Sequence, residues 1–446
     1  MMKRILYFVF WVIFCTSCGN FLEEYSQDLV YAQSCEDLDE ILIGNGYMAQ
    51  PTTPSYFSYG DKAFYYPYLH VMDDDIEEYL TGNANISSSI NPVTTLRNFY
   101  IWAKEPFMRI SGLTFRDYDW KRMYEHIGYL NVIISYVKEF HEDSEEMRHR
   151  ILGEAQFLRA GYYFMLVNLY ANPYSKETAD ATMGVPLNLT EYIEEGYFSR
   201  DPVAAVYRQI VTDLENAIVN LSGIKQPTIY RVNEKAARAL LSRVYLYMGE
   251  WQLVIDECDE IIKMGCSLWD LNNFDPGTAT FGCKRDYFLA KESPEIFFTQ
   301  GAGVVGLLMD NQNITSQTRY RASDELYGIY SKYEKDGILD LRKNCFFEMS
   351  KRDNGYFFVR KNPMFDATVF DSFLLRSGEI YLNKAEAQAM LDQADAINTM
   401  KELMNKRYAD HKLPVIDGLS GKELIQFIRE ERRKELCFEG HRWFDL

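Results

Sequence analysis

The sequence predicts a mostly α-helical protein, a scaffold of paired helices that carries a long irregular insertion and loops. Three observations predict this. Several long stretches place apolar residues at i, i+4, i+7 and i+8, the spacing of a helix rather than a strand. Two of those stretches share one helix–turn–helix pattern, with the mixed residues 265–375 between them. No low-complexity linker divides the chain, so residues 18–446 are expected to form one domain.

The elements follow in order. "MMKR" and the eleven apolar residues "ILYFVFWVIFC" open the chain. A membrane-spanning helix needs about 20 residues, so residues 1–17 read as a secretory signal peptide. "TSCG" follows, with small Thr16 and Ser17 before Cys18. It resembles a bacterial lipobox, in which Cys18 is acylated and becomes the new N-terminus. Cys15 stands where an aliphatic residue is usual, and ordinary cleavage with a free Cys18 is the alternative. Residues 18–60 are mixed, with turn signals at "GNGY" and "QPTTPS", and residues 61–116 are irregular and aromatic-rich. Helix pairs are expected near 117–170, 201–264 and 376–439. In the first, Leu158, Tyr162, Met165, Leu166 and Leu169 form one stripe, and Asn172–Pro173 ends it. Asp201–Pro202 opens the second as cap and first turn. Within it Ala237, Leu240, Leu241, Val244, Tyr245 and Met248 share a face, and Gly249 breaks the helix. Met248, Trp251 and Val254 match Leu391, Ala394 and Ile397 in register. Both pairs resemble the tetratricopeptide helix–turn–helix, although the repeat is not continuous. The expected architecture is therefore a tetratricopeptide-like scaffold with an insertion at about 265–375.

Composition narrows the function. The 446 residues carry a net charge of −18, and without residues 1–17 the balance is 45 basic against 65 acidic residues, or −20. A nucleic-acid binder needs a basic footprint, so that class is excluded. Tyr is abundant, 33 residues, beside 28 Phe and 6 Trp, which suits a half-wet surface of flat faces with polar handles. Six cysteines beyond Cys15 and Cys18 allow fifteen pairings. Cys258 falls in a helical apolar rhythm and reads as a small core residue.

Several stretches look like chemistry. "GAGVVG" holds Gly301, Gly303 and Gly306 after a strand-like run, with Asp324 further on. A dinucleotide fingerprint needs a full helix immediately afterwards; only "LLMD" follows, so a glycine-rich loop is expected and no cofactor. "MDDDIEE" holds adjacent Asp73, Asp74 and Asp75, whose side chains point apart, and a solvated acidic loop is expected. No Walker A, GxSxG or HExxH motif occurs. "EERRKELCFEGHRWFDL" crowds Glu, Arg, Cys, His and Asp into the C-terminus. Cys437, Glu439 and His441 do not make a four-ligand zinc site, and no metal is expected. The expected arrangement is a helix through "GKELIQFIREERRKELCFEG". Leu424, Phe427 and Ile428 would face the core, with Glu430, Glu431, Arg432 and Arg433 on an exposed or partly buried flank. Gly440 would end the helix, and His441, Arg442 and Trp443 would pack back on the scaffold.

These residues carry a resemblance. "EERRKELCFEGHRWFDL" is similar to the C-terminal signature of the SusD/RagB family. "GEAQFLRAGYYFMLVNLY", "KAARALLSRVYLYMGEW", "RSGEIYLNKAEA" and the lipobox followed by "FLEE" resemble further family segments, in order along the chain. Members usually continue past the last signature, so the chain is expected to lack a C-terminal segment. The resemblance implies a non-enzymatic, lipid-anchored protein of the outer membrane, facing the exterior. It would capture an oligosaccharide and hand it to a TonB-dependent, SusC-like channel. An oligopeptide receptor of the RagB type, a non-catalytic surface scaffold and a lipid-anchored glycan hydrolase are the alternatives. A sugar ring stacks on an aromatic face while polar side chains meet its hydroxyls. Two loop stretches offer both. "RNFYIW" contributes Arg97, Asn98, Tyr100 and Trp102, and "NQNITSQTRYR" contributes Asn311, Arg319 and Tyr320.

Overall fold

The computed structural model describes residues 32–50, 64–80, 92–108, 112, 114, 117–192, 197–275, 287–309, 318–349, 356–357, 361–362 and 367–446. Cys18, Cys283 and Asn311 lie outside them. Helix α1 (Cys35–Ile41) is followed by strand β1 (Ile76–Leu80) and helix α2 (Pro92–Tyr100). Then come α3 (Tyr118–Tyr136) and α4 (Glu145–Tyr170), the first expected pair. Asp117 caps α3 by accepting from the amides of Asp119 and Trp120, and Ser144 caps α4 by accepting from Met147 N.

Helix α4 is the axis of the molecule. Its stripe widens until almost every side chain from Ile151 to Val167 is buried, because other elements cover it on all sides. Arg159 is tolerated inside because Asp213 takes it in two hydrogen bonds of 2.8 and 2.6 Å. Asp213 belongs to α5 (Val203–Leu221). That helix begins at Val203, and Asp201 does not cap it. The Asp201 carboxylate instead accepts from Leu187 N at 2.8 Å, tying down the loop before the helix.

Helices α6 (Glu234–Met248) and α7 (Trp251–Lys263) form the strongest expected pair. Asn233 caps α6, and Gly249 ends it at φ +69, a left-handed position that suits glycine. Cys258 is fully buried, as expected.

The insertion is more regular than its sequence suggests. Strand β2 (Ile296–Gln300) pairs antiparallel with β6 (Phe373–Arg376), so the insertion leaves and rejoins the scaffold side by side. Between them lie the one-turn helix α8 (Val305–Leu308), β3 (Thr318–Ala322), α9 (Asp324–Ile329), α10 (Arg342–Phe346) and the short β4 (Glu348–Met349) and β5 (Tyr356–Phe357). Strand β3 pairs antiparallel with β1. The glycine array follows β2, as expected of a loop after a strand. The position at the start of α8 where a phosphate would bind is filled: Asp371 accepts from Val304 N and Val305 N at 2.7 and 3.1 Å. Gly301, at φ +93, is required by crowding, since a Cβ there would lie 2.8 Å from Cβ of Ser372.

The third group is α11 (Ser377–Met390), α12 (Asp395–Met404), α13 (Gly421–Leu436) and the terminal turn α14 (Arg442–Asp445). Leu424, Phe427 and Ile428 face the core as expected. Two expectations are corrected. Helix α13 stops at Leu436, four residues before Gly440, and Phe438 and Gly440 both take positive φ. Glu430 and Arg433 are partly buried, as expected, but Glu431 and Arg432 are fully inside: Arg342 of the insertion covers Glu431, and Asn383 and Asp445 cover Arg432. No helix of the described residues is long and apolar enough to cross a membrane.

Candidate functional site

The C-terminal cluster resolves into a buried ion network. Glu435 is its centre: its carboxylate meets Arg376 at 2.8 Å, Arg407 at 2.9 Å and Arg342 at 3.2 Å. Glu295, Glu439, Glu431 and Asp340 supply the other anions, and Lys361 and Lys434 the remaining cations. Five positive groups thus face five negative ones. Burial alone would raise Glu431, but Arg342 and Lys434 beside it hold it down at about 2. His441 is buried, and burial together with Arg243 and Arg432 pushes it well below its ordinary value, so it is neutral. Burial pushes the Cys437 thiol up to about 11, which leaves no reactive thiolate. Among the described residues no group of three or more His, Cys, Asp or Glu could hold a metal ion.

One end of this cluster reaches the surface. Arg442 grips Asp74 through two hydrogen bonds, Nε to Oδ1 at 2.6 Å and Nη2 to Oδ2 at 2.7 Å. Arg433 reaches the same loop, 2.7 Å from Oδ1 of Asp75 and 3.1 Å from the Asp74 carbonyl. The acidic loop is therefore not solvated as expected. Asp73 and Asp75 are buried, because arginines from α13 and its end supply the counter-charge. Burial raises Asp75 to about 6 against the pull of Arg433. Arg442 and Arg433 outweigh burial at Asp74 and hold it below the usual carboxylate range.

Beside this brace lies a cleft of about 310 Å³. Trp102 and Trp443 wall it, their rings edge to face at 5.8 Å and 79°. Tyr68 stacks on Phe99 at 4.8 Å, and Tyr170 completes the aromatic lining with Phe107. The local chain explains the exposure of Trp102. Helix α2 ends in a Schellman arrangement: Ala103 N donates to Asn98 O at 2.8 Å and Trp102 N to Phe99 O at 3.1 Å. The residue at the turn must be left-handed, where glycine is usual; here it is Trp102, at φ +50. A bulky side chain held there costs about 1–2 kcal/mol. The indole is 66% exposed, so core packing does not repay that strain. Its Nε1 donates to the Met72 carbonyl at 2.7 Å, which fixes the plane of the ring.

The sequence-predicted residues divide. Asn98 and Trp102 line the cleft. Arg97 and Tyr100 turn to the other side of α2, where Arg97 Nε meets Glu78 at 3.0 Å and the Tyr100 hydroxyl accepts from Glu78 N at 3.0 Å. Tyr320 is fully buried and packs 5.4 Å from the Tyr100 ring, so its face is not open to a ligand; in β3 it points inward. Arg319 is in the same strand, paired with Tyr79. Tyr68, Tyr170 and Trp443 were not expected in a site. Trp443 is partly buried: it packs back on the core, as expected, and also lines the cleft.

Comparison with known proteins places the whole arrangement. A family model described as starch-binding and associating with the outer membrane, SusD-like, matches residues 72–246, and the SusD family model matches residues 362–446. Together they span more than half of the chain. The chain belongs to the SusD/RagB family. Among curated SusD/RagB relatives, SusD-like protein P25 of Formosa agariphila is 23% identical over 100% of this chain and 89% of its own. Among solved structures, a SusD superfamily protein from Bacteroides thetaiotaomicron superposes with a TM-score of 0.69 at 22% identity, covering 92% of this chain and 88% of that one. A laminarin-binding SusD-like protein superposes with a TM-score of 0.57 at 22% identity, covering 85% of each chain. The mostly helical architecture is the SusD/RagB one, and Arg376, Arg407, Glu431, Lys434, Glu435 and Glu439 of the buried network fall inside the matched residues 362–446.

Proposed function

We propose that the protein is a cell-surface nutrient-binding lipoprotein that captures an oligosaccharide in the Trp102–Trp443 cleft and delivers it to a TonB-dependent outer-membrane channel. On this reading residues 1–17 are the signal peptide, Cys18 carries the lipid, and residues 18–446 act as one binding domain. The observation that carries the reading is Trp102, an exposed indole held in a strained backbone position at the mouth of an aromatic cleft. Sugar rings stack on such faces, and the described names of the matched family and of the laminarin-binding relative point to the same ligand class. Volume agrees, since about 310 Å³ is at the lower end of small-molecule sites.

The test is Trp102→Gly in the soluble mature protein. Glycine removes the platform and relieves the left-handed strain, so folding is retained. Strain relief of about 1–2 kcal/mol offsets the lost ring contact, about 0.5–1.5 kcal/mol, and the lost indole hydrogen bond, about 0.5–1.5 kcal/mol. Tm should therefore hardly move. Affinity for laminari-oligosaccharides, or for the best binder on a glycan array, should fall by about 1–3 kcal/mol, the size of a hot-spot truncation. A folded variant that binds as tightly as the parent would overturn the reading, as would a parent protein that binds peptides in place of sugars.

A further inference from the structure

Resting on the reading of the cleft as a sugar site, we infer that it selects uncharged sugars, held by their ring faces and by two neutral hydrogen-bonding handles. The argument starts from which polar atoms of the lining are already used. Trp102 Nε1 donates to Met72 O. The Tyr170 hydroxyl donates to Asp117 Oδ2 at 2.6 Å and lies 3.4 Å from the Tyr68 hydroxyl. The Asn98 amide nitrogen donates to Met108 O. Two handles remain. Trp443 Nε1 has no hydrogen-bond partner among the described residues and is not sealed from solvent. Asn98 keeps Oδ1 as an acceptor and the second N–H of its amide nitrogen as a donor. These neutral donors and this acceptor suit a hydroxyl, which can accept from the former and donate to the latter.

Charge supports the same conclusion. No Asp, Glu, Lys or Arg is among the described lining residues. Most charges next to the lining are paired: Arg97 beside Asn98 with Glu78 at 3.0 Å, and Arg442 beside Trp443 with Asp74; Arg200 lies outside the lining and donates to the Tyr170 carbonyl at 2.7 Å. Asp117 stands behind Tyr170, and its carboxylate is engaged by the tyrosine hydroxyl. A uronate or sulfated sugar would leave water for a site with no cation among its described lining residues, on a protein whose net charge is −18 and which repels anions at long range. A cationic amino sugar would gain from the aromatic faces, but would find no carboxylate in the lining to pair with.

The experiment is calorimetry on the soluble mature protein with three probes of similar length: uncharged gluco-oligosaccharides, oligogalacturonates and oligomers of unacetylated glucosamine. Each is measured at about 0.02 M and about 0.5 M salt, which spans weak to strong screening. The uncharged probe should bind at least tenfold tighter than either charged one, with a Kd that changes less than about twofold with salt. Trp443→Phe keeps a ring and removes the N–H, so it should weaken that binding about threefold to tenfold with Tm unchanged. Preference for a charged probe, lost in Trp102→Gly, would overturn the inference while leaving the cleft as the site. Binding of the uncharged probe that neither Trp102→Gly nor Trp443→Phe alters would remove the cleft reading itself, and this inference with it. Absence of binding to all three probes would do the same.

Discussion

Glu435→Gln tests whether the C-terminal cluster is a structural core. Glu435 is fully buried and faces three buried arginines, Arg342, Arg376 and Arg407, at 3.2, 2.8 and 2.9 Å. Glutamine keeps the shape and removes one negative charge. The network would then hold five cations against four anions, and the surplus charge would be buried. Removing one partner of a buried ion pair costs about 3–5 kcal/mol, a large share of the ~5–15 kcal/mol that holds a folded domain together. With an unfolding entropy of about 2.1 cal/mol/K per residue, the melting temperature should drop by about 3–6 °C. Differential scanning calorimetry and urea titration of the soluble mature protein would read it. Glu430→Gln is the internal control. It stands next to Glu431 on the same helix and pairs with Lys332 at 2.8 Å, where the lysine is 46% exposed. That change should cost under ~1 kcal/mol. A double variant, Glu435→Gln with Arg407→Met, restores the charge balance and should recover part of the loss. Equal stability of Glu435→Gln and Glu430→Gln would refute the reasoning, because the network would then be wetter and weaker than its geometry implies.

Acid should weaken the same network. The folded protein holds Glu431 at about 2, against an ordinary value near 4.5, so its contribution is fully present above about pH 4.5 and is lost as pH falls toward 2. The stability gap between the parent and Glu431→Gln should therefore shrink by about 2–3 kcal/mol over that window, and a gap that stays constant in pH-dependent melts would contradict it. Asp74→Ala should cut the brace between the acidic loop and Arg442; because Asp74 is 40% exposed, stability should fall by less than ~1 kcal/mol, while sugar affinity drops severalfold as Met72 and the indole it holds loosen. Unchanged affinity in calorimetry would separate the brace from the cleft. Cys18→Ala should abolish acylation and release the protein from outer-membrane fractions, and mass spectrometry that finds no lipid on the parent would end the lipoprotein reading.

The helices were legible because each announces itself locally. The stripe of α4, the apolar face of α6 and the Gly249 break are all patterns within about twenty residues, and the structure has them where the spacing put them. Burial of charge was not legible. Glu431 and Arg432 look like an exposed flank because periodicity treats one element at a time, whereas Arg342 stands about ninety residues earlier in the chain. Asp73 and Asp75 were misread for the same reason, since their arginines come from the far end of the sequence. At the candidate site, Trp102 was chosen by residue type in a stretch read as a loop, and Asn98 came with it; the structure puts Arg97, Asn98 and Tyr100 in α2 and only Trp102 beyond its end. Tyr68, Tyr170 and Trp443 meet there from three distant segments, and no spacing rule connects them. Tyr320 was chosen by the same logic as Trp102 and is buried, because strand β3 alternates its faces and turns that ring inward.

The two ends of the C-terminal signature act on different parts of the molecule, and the acidic loop joins them. From Glu431 to Glu439 the carboxylates neutralise Arg342 and Lys361 of the insertion as well as Arg376 and Arg407, so the insertion cannot leave the scaffold without exposing or unpairing charge. Arg433 and Arg442 face the other way, toward Asp74 and Asp75. Buried adjacent carboxylates repel one another, and burial already lifts Asp75 to about 6; without those two guanidiniums the loop would have to open to water or take up protons. Met72 directly precedes the loop, and its carbonyl fixes the Trp102 indole. Trp443 directly follows Arg442 and lines the cleft beside Trp102, with which its ring makes an edge-to-face contact. The spacing between the two tryptophans is thus set by a short chain of contacts, from indole to Met72, from Asp74 to Arg442, and on to Trp443. A binding platform built from an exposed, strained loop residue would otherwise lose the advantage of rigidity, since ordering it on binding costs entropy. Anchoring the loop to the charged core removes that cost in advance, which is why the residues that look most like an active site lie next to the cleft without entering it.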